Sequence, residues 1–344
     1  MTLTASSGRS AHPVFSRLAF AGTLFAAALT PVTLSQAASE MPEVETAPAL
    51  VPAMIAPPVA SSSLPEAALD LSPRTDRVLQ TSLERCIGKL QLQNAVNGGH
   101  LSVALVDITN PLTPSMAQVN GNQMFYAASL PKIAILLGAF EKAAAGKLKL
   151  DGDTVAELQR MIRESSNIAA SDMLQKVGTD YLATVLQSKR YRLYDSKLNG
   201  GLWVGKPYAT GNATRRDPLH NLSHGATAYQ VARFYYMLET GQLVSPEASR
   251  QMKAIMGSPA IHHKFVAGLQ SVYPDVKMFR KSGSWRNFHS DSAIVEHDGR
   301  RYIAVGLSDD SRGGDWLKSL IVGMDQAVFD SARQQNVATL RPTL

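Results

Sequence analysis

The stretch from Ser129 to Phe140 constrains the fold more than any other, because its second half is apolar on every side. Residues 133–140 carry no charged side chain, which predicts a helix buried through the middle of a domain. Pro131 suits the first turn of such a helix, where its missing N–H would have no partner. Ser129 and Lys132 are three residues apart and share one face of the helix start. We therefore expect a hydroxyl and an amine to meet at a buried helix N-terminus, an arrangement that makes a serine nucleophilic without histidine.

The composition excludes several classes of protein. The 344 residues are 45% hydrophobic and 18% charged, which is ordinary for a globular protein and excludes global disorder. Cys86 is the only cysteine, so an internal disulfide and a thiolate metal cluster are excluded, and we expect Cys86 to be a small buried core residue. The formal net charge is +6, but no basic run with interleaved aromatic residues predicts a nucleic-acid partner.

Residues 1–37 have the pattern of an export signal. Arg9 and Arg17 supply positive charge, residues 18–34 are mostly apolar, and residues 35–37 form a small-x-small cleavage site. The apolar run is short and contains a proline, which argues against a permanent membrane span in the mature chain. We therefore expect an exported protein of the bacterial periplasm or the extracellular space.

Residues 38–68 differ in composition from what precedes and follows them. They contain six prolines and four acidic residues and no basic residue. This composition predicts an extended, acidic linker rich in proline and alanine. The folded domain is then expected over residues 69–344.

Hydrophobic periodicity and turn residues divide this domain into predicted elements. These are an opening helix over about 71–95, strands over 101–107 and about 116–126, the helix that follows Ser129, helices between 151 and 270 of which the first is capped by Asp153 or Thr154, strands over 277–285, 292–296 and 302–307, and a closing helix over 315–334. Two strands, a helical insertion, three strands and a terminal helix predict one α/β domain of the α+β type, with helices on one sheet.

Two further stretches supply partners for Ser129 and Lys132. Ser165 and Asn167 lie between two predicted helices, and Lys281-Ser282-Gly283 lies on the first strand after the helical insertion. Gly283 is expected to let a substrate backbone lie close to the strand. Each stretch has a plainer interpretation, since Ser165 could only cap a helix and Lys281 could be a solvated charge at a strand edge.

The order S-x-x-K, S-x-N, K-S-G resembles that of the penicillin-recognising serine hydrolases, and residues 69–344 resemble class A β-lactamases most. The resemblance implies a β-lactamase/transpeptidase-like fold. In that fold, a five-stranded antiparallel sheet is flanked by helices, and an all-helical subdomain is inserted between strands 2 and 3.

The resemblance also implies catalytic roles. Ser129 would be the acylated nucleophile, and Lys132 would be the base that takes its proton. Ser165 would relay a proton to the leaving nitrogen, and Lys281 would add positive charge near Ser165 and the substrate carboxylate.

The remaining implied roles concern substrate binding. Asn167 would hold the acyl amide of the substrate, and Ser282 would bind its carboxylate beside Gly283. The backbone N–H groups of Ser129 and Ser284 would form the oxyanion hole, which stabilises charge that develops only in the transition state.

The sequence departs from the family in the region that should activate water. Class A enzymes carry a glutamate there, whereas residues 195–224 contain no glutamate and only two acids, Asp195 and Asp217. Residues 215–221 faintly echo the family motif with Asp217 in place of glutamate, which makes Asp217 the candidate deacylating base. The alternative is that Asp217 braces its loop by pairing with Arg215 or Arg216. Residues 200–206 have no counterpart that the sequence can place.

Other chemistries have less support. No G-x-S-x-G motif is present, and the His220/His224 pair and His262-His263 lack the carboxylates of a zinc site, so we expect no metal and no cofactor. The sequence therefore predicts a monomeric serine hydrolase that hydrolyses β-lactams through an acyl-serine intermediate. Two alternatives stay open: a peptidoglycan D-Ala-D-Ala peptidase, and a penicillin-binding or sensing module that remains acylated.

Overall fold

Ten helices and ten strands lie within the part of the chain that the structure, a computed structural model, describes: residues 70–209 and 211–339, with side chains through residue 335. The helices are α1 (Arg77–Lys89), α2 (Gln93–Asn97), α3 (Lys132–Ala144), α4 (Gly152–Arg163), α5 (Asn167–Val177), α6 (Thr179–Gln187), α7 (Ala228–Glu239), α8 (Pro246–Met256), α9 (Phe265–Gln270) and α10 (Gly313–Thr339). The strands are β1 (Leu101–Asp107), β2 (Ser115–Val119), β3 (Phe125–Tyr126), β4 (Tyr194–Asp195), β5 (Gly200–Gly201), β6 (Trp203–Val204), β7 (His224–Ala226), β8 (Lys277–Trp285), β9 (Phe288–His297) and β10 (Arg300–Asp309).

The predicted signal (1–37) and linker (38–68) lie outside these described residues, so both stay predictions. Within the described residues, no helix combines the length and the hydrophobicity that crossing a membrane requires.

The central sheet has five antiparallel strands in the order β2-β1-β10-β9-β8. The helical insertion separates β2 from β8 in sequence, so the predicted split sheet and its inserted subdomain are confirmed. The predicted second strand, about 116–126, was too long. The main sheet keeps only Ser115–Val119, and Phe125–Tyr126 pairs instead with β7 in a separate three-stranded sheet. At the other end of the sheet, β8 is an edge strand that pairs only with β9 among the strands of the described residues.

Alternate residues of β1 explain why helices cover both faces of the sheet. Val103 and Leu105 belong to the core shared with α1, α9 and α10, whereas Ala104 and Val106 belong to the core shared with α3 to α8. Successive side chains of a strand point to opposite faces, so a strand apolar throughout requires cover on both. Cys86 is a buried residue of the first of these cores, as expected.

Helix α3 is buried from Lys132 to Phe140, as the apolar run predicts. The helix begins at Lys132 rather than at Ser129, because tight i→i+3 hydrogen bonds precede it: Leu130 N–H to Ala127 O (3.1 Å) and Lys132 N–H to Ser129 O (3.3 Å). Ala128 has a left-handed backbone with φ of 51°. Ser129 therefore lies in a sharp turn between β3 and α3, in the middle of the domain.

Side-chain caps fix the starts of the inserted helices. Ser166 caps α5 and Thr227 caps α7, each accepting a backbone N–H three residues on. The expected cap of α4 was wrong: Asp151, not Asp153 or Thr154, accepts the Thr154 N–H. Because Ser166 is the cap of α5, Ser165 is left available for other contacts.

Candidate active site

The turn between α4 and α5 supplies the hydrogen-bond partners of the Lys132 amine. Its Nζ donates to the carbonyl O of Ser165 at 2.6 Å and to Oδ1 of Asn167 at 2.8 Å, and it lies 3.4 Å from Ser165 Oγ. The lysine is fully buried. Burial disfavours the charged form and lowers the pKa of Lys132 to about 7, so a large fraction is neutral near neutral pH.

Lys281 reaches the same serine from β8. Its Nζ donates to Ser165 Oγ at 2.8 Å and to the carbonyl O of Ser282 at 2.7 Å. Burial, followed by the nearby positive charge of Lys132, lowers the pKa of Lys281 well below its usual value. Lys281 is therefore not a solvated strand-edge charge. The Ser165 hydroxyl lies between two buried amines, which places it in a path along which a proton can move.

Ser165 adopts a backbone conformation that only a constrained turn maintains. Its φ is 58°, in the left-handed region that side chains other than glycine rarely occupy. This turn connects α4 to α5 and aims both its carbonyl and its hydroxyl at Lys132. Such strain is typical of functional positions held by the surrounding structure.

Gly283 brings β8 against the turn that carries Ser129. A Cβ at Gly283 would lie 2.5 Å from Ala127 O and 2.6 Å from the Ser129 nitrogen, so only glycine permits this approach. The protein's own Ser129 turn occupies the space that a side chain at Gly283 would need, and the approach of a substrate backbone to Gly283 stays a prediction. Ser284 follows Gly283 directly on β8, and the oxyanion hole formed by Ser129 and Ser284 stays a prediction.

The Ser129 side chain is half-buried, and its hydroxyl has no hydrogen-bond partner among the described residues. Ser129 and Lys132 belong to the same turn. Lys132, Ser165, Asn167 and Lys281 thus form one hydrogen-bonded cluster beside the Ser129 turn. Ser282 is buried on the same strand, between Lys281 and Gly283.

The sequence model of the β-lactamase enzyme family matches residues 83–158 and 154–331, most of the chain. This chain belongs to that family. No curated protein sequence matches it significantly.

Solved structures similar to this member of the β-lactamase enzyme family share its fold at low sequence identity. A mutant of PBP-A, solved as its acyl-enzyme complex with penicillin G, is 18% identical with a TM-score of 0.56, over 74% of this chain and 98% of that one. A β-lactamase from Xanthomonas campestris is 18% identical with a TM-score of 0.57, over 73% and 98%. A β-lactamase from Sphaerobacter thermophilus is 16% identical with a TM-score of 0.55, over 72% and 96%. The β-lactamase/transpeptidase-like fold expected from the sequence is therefore confirmed.

Asp217, the candidate deacylating base of this family member, is buried within its own loop. Its carboxylate accepts hydrogen bonds from the Tyr194 hydroxyl (2.8 Å) and from the backbone N–H groups of Leu219 (3.2 Å), His220 (3.1 Å) and Leu222 (2.7 Å). No described hydrogen bond joins it to the cluster around Lys132. The base role of Asp217 stays a prediction, and these four hydrogen bonds favour a loop-bracing role.

The expected partners of a bracing Asp217 were also wrong. Arg215 pairs with Asp180, and Arg216 donates to the Asn221 carbonyl. The brace therefore consists of a phenol and backbone amides instead of a guanidinium.

Residues 200–206, which the sequence could not place, are mostly buried and pack against the loop that carries Asp217. Trp203 is 1% exposed, packs on Tyr194 with a centroid distance of 4.7 Å, and donates Nε1–H to the Arg215 carbonyl at 2.8 Å. A Cβ at Gly205 would lie 1.8 Å from that same carbonyl oxygen. The extra segment therefore shapes the loop that carries Asp217.

The positions of Tyr208 and His224 near Lys132 were not predicted from the sequence, where His224 was considered only as one of a pair of metal ligands. The Lys132 Nζ lies 4.6 Å from the centroid of the Tyr208 ring, and that ring lies 4.1 Å from the ring of His224. Burial lowers the pKa of His224 to about 4, so it is neutral at physiological pH. Tyr208 follows a proline in an irregular segment, and no motif or periodicity in the sequence signals its position.

A buried ion pair between β8 and β9 also escaped notice. Arg280 donates to both carboxylate oxygens of Asp291, at 2.8 and 2.7 Å, and both side chains are almost fully buried. Asp291 also accepts the N–H of Phe265 at 3.1 Å, at the start of α9. This pair fixes the strand residue that precedes Lys281. In the sequence, two adjacent basic residues on a predicted strand, Arg280 and Lys281, were the only sign that one of them could have a buried acidic partner.

His220 and His224 lie in different surroundings, and the expected absence of a metal stays a prediction. His220 contacts Asn199, whereas His224 contacts the Lys206 carbonyl and Ser223, so the two rings have different neighbours. Among the described residues, no group of three or more histidine, cysteine, aspartate and glutamate side chains could hold a metal ion.

Gly283→Ala should destabilise the protein by about 1–3 kcal/mol, because the added methyl group would overlap Ala127 O and the Ser129 nitrogen. Urea unfolding measures this change. The matched control is Gly88→Ala on the exposed face of α1, where nothing lies within 4 Å of the added Cβ. That substitution should stabilise the protein by about 0.5–1 kcal/mol. Equal effects at the two positions would contradict the close approach of β8 to the Ser129 turn.

Asp217→Asn should lower the free energy of unfolding by about 2–3 kcal/mol, because an amide cannot accept all the hydrogen bonds that the carboxylate accepts. The control Asp180→Asn removes an exposed partner of Arg215 in the same region and should change stability by less than about 1 kcal/mol. Thermal and urea unfolding of the two variants test this. An Asp217→Asn protein as stable as wild type would remove the bracing role.

Proposed function

We propose that this protein is an exported serine hydrolase that opens β-lactam rings through an acyl-Ser129 intermediate. The observation that carries the proposal is the placement of the Ser165 hydroxyl between Lys132 and Lys281, beside the Ser129 turn. Membership of the β-lactamase enzyme family supports the reaction class. The penicillin G acyl-enzyme of the structurally similar PBP-A mutant is consistent with covalent chemistry on this fold.

In the proposed acylation step, neutral Lys132 accepts the proton of the Ser129 hydroxyl as Oγ attacks the lactam carbonyl carbon. The carbonyl oxygen becomes an oxyanion and accepts hydrogen bonds from the backbone N–H groups of Ser129 and Ser284. As the tetrahedral intermediate collapses, the C–N bond breaks and the electron pair goes to nitrogen. Ser165 gives that nitrogen its proton and regains one from Lys132, which is again neutral.

Lys132 and Lys281 have different proposed roles because their environments differ. Lys132 has a pKa near the working pH, which suits a base that must gain and lose a proton in each cycle. Lys281 donates to Ser165 Oγ and so orients this hydroxyl. Asn167 accepts a hydrogen bond from Lys132, which fixes its amide group and leaves the amide N–H₂ to hold the acyl amide of the substrate.

A second candidate function is a penicillin-binding module that stays acylated. It is favoured by the hydrogen bonds of Asp217, whose carboxylate is occupied within its own loop. Water must be activated for the acyl-enzyme to hydrolyse, and no glutamate lies between residues 195 and 224 to do so. The two candidates share acylation and differ only in the fate of the acyl-enzyme.

Brief exposure to penicillin G should add the mass of one penicillin to the intact wild-type chain, and Ser129→Ala should abolish the addition. The fold of the variant should be intact, because removing one oxygen creates little cavity. Ser319→Ala, at an exposed position of α10, is the matched control and should label like wild type. Intact-protein mass spectrometry over a time course then separates the candidates, since slow loss of the added mass indicates a hydrolase and persistent mass indicates a sensor. Undiminished labelling of Ser129→Ala would place the nucleophile elsewhere.

The acylation rate should rise about tenfold per pH unit below pH 7 and level off above it. The physical reason is that the base is neutral Lys132, whose pKa is lowered to about 7 by burial, and whose neutral fraction therefore grows as pH rises through that value. Lys132→Arg should be as inactive as Lys132→Ala, because guanidinium does not release its proton. The control Lys142→Arg, three turns along the same helix, should acylate normally. Stopped-flow acylation by nitrocefin provides the rates, and an active Lys132→Arg enzyme would exclude this base.

A further inference from the structure

A third buried lysine, Lys264, lies on the other side of β8 from the cluster around Ser165. It directly precedes α9 and is 5% exposed. Its Nζ donates to the carbonyl O of Gly283 at 2.5 Å, to Ser284 Oγ at 2.7 Å and to the carbonyl O of Ser290 at 3.1 Å. The mechanism above gives this residue no role.

The three hydrogens of the Lys264 ammonium are matched by three protein acceptors. A neutral amine has only two N–H donors, so this set of acceptors favours the protonated form. No N–H remains to bind a substrate carboxylate directly. Any effect of Lys264 on a substrate must therefore pass through the groups that it contacts.

The charge of Lys264 is directed at carbonyl groups and not cancelled by an ion pair. Within the described residues, no carboxylate lies within 4.0 Å of its Nζ. Asp291, the acid that raises its pKa, is already held by both guanidinium hydrogen bonds of Arg280. Burial lowers the pKa of Lys264 to about 8, which leaves the cation predominant at neutral pH.

The Gly283 carbonyl and the Ser284 N–H belong to the same peptide group. In a trans peptide these two groups point in opposite directions, and no cis peptide occurs among the described residues. Lys264 contacts the carbonyls of both Gly283 and Ser290, which are paired across β8 and β9, so the Gly283 carbonyl points towards β9. The Ser284 N–H therefore points away from β9, to the free edge of β8 where the Lys281 amine contacts Ser282 O.

A cation on a peptide oxygen draws electron density from the amide nitrogen and makes its N–H a stronger donor. Hydrogen bonds that share one peptide group strengthen one another, and the effect is greater in a buried site of low dielectric. The Lys264 Nζ to Gly283 O contact, at 2.5 Å, is the shortest of the three that this amine makes.

We propose that Lys264 is a positioning residue of the oxyanion hole, whose ammonium group fixes and polarises the Gly283–Ser284 peptide so that the Ser284 N–H binds the oxyanion more strongly. This inference rests on the proposed acylation of Ser129. It adds to that function a cation that never touches the substrate. The bond changes of the reaction are those given above, and Lys264 neither gains nor loses a proton in them.

The test compares three substitutions at Lys264 with wild type. Lys264→Gln keeps two N–H donors and removes the charge, Lys264→Met removes both, and Lys264→Arg keeps the charge. The matched control is Lys253→Met, which removes a partly buried lysine that pairs with Glu239 and Glu296 near the far end of β9. Thermal unfolding shows which variants fold. If Lys264→Met does not fold, Lys264→Gln and Lys264→Arg still compare a neutral with a charged side chain.

The decisive measurement is the stretching frequency of the acyl carbonyl in the penicillin acyl-enzyme, by isotope-edited infrared difference spectroscopy with penicillin G labelled at the lactam carbonyl. A weaker oxyanion hole polarises this carbonyl less and moves its band to higher wavenumber. We expect that shift in Lys264→Gln and Lys264→Met, and a band near the wild-type position in Lys264→Arg and Lys253→Met. The limiting acylation rate should fall about tenfold in the two neutral variants, with little change in the penicillin concentration for half-maximal rate.

The outcomes separate this inference from the proposed function. An acyl carbonyl band that does not move in Lys264→Gln overturns the inference and leaves acylation of Ser129 standing. A band that moves equally in Lys264→Arg also overturns it, because the charge would then be irrelevant. A wild-type chain that penicillin does not acylate overturns the proposed function, and with it the inference.

Discussion

Two buried amines share one hydroxyl, and the rest of the site depends on this contact. Lys132 and Lys281 are both buried, and both lie within hydrogen-bond distance of the partly exposed Ser165 Oγ. Burial lowers the pKa of both amines, and at Lys281 the nearby positive charge of Lys132 adds to the effect. The cost is limited by the polar acceptors around each amine, among them the Asn167 amide and the Ser282 carbonyl. The same environment that disfavours charge makes one of these lysines a usable base.

The fold supplies this contact from three distant parts of the chain. The turn before α3, the α4–α5 turn and the edge strand β8 each belong to a separately packed element, so their relative positions are fixed by two hydrophobic cores. Two residues where these elements meet, Ala128 and Ser165, have a left-handed backbone, and a glycine at position 283 permits the close approach of β8 to the Ser129 turn. These backbone constraints limit the conformational freedom of the candidate catalytic groups.

The loop around Asp217 is stabilised by its own polar and aromatic contacts. A buried carboxylate, the Tyr194 hydroxyl and the indole of Trp203 hold residues 194–222 together through hydrogen bonds and ring contacts. The Tyr208 ring then covers the Lys132 amine from this side. In this arrangement the acid of the loop acts within the loop, while the basic groups face the site.

The sequence by itself determined the elements that have a strong period or an uninterrupted apolar run: α3, β1 and β8 were placed within a few residues of their observed bounds. It also determined which residue types would meet, because Ser129, Ser165 and Lys281 lie in short motifs whose order along the chain is diagnostic. The neighbours of a residue that are distant in sequence were decided only by the tertiary structure. Gly283 faces the Ser129 turn, Asp217 faces its own loop, and Lys264 lies behind β8 although no local pattern marks it. Hydrophobic periodicity records which face of an element is buried, but not which backbone atoms lie opposite it, and hydrogen bonds depend on those atoms.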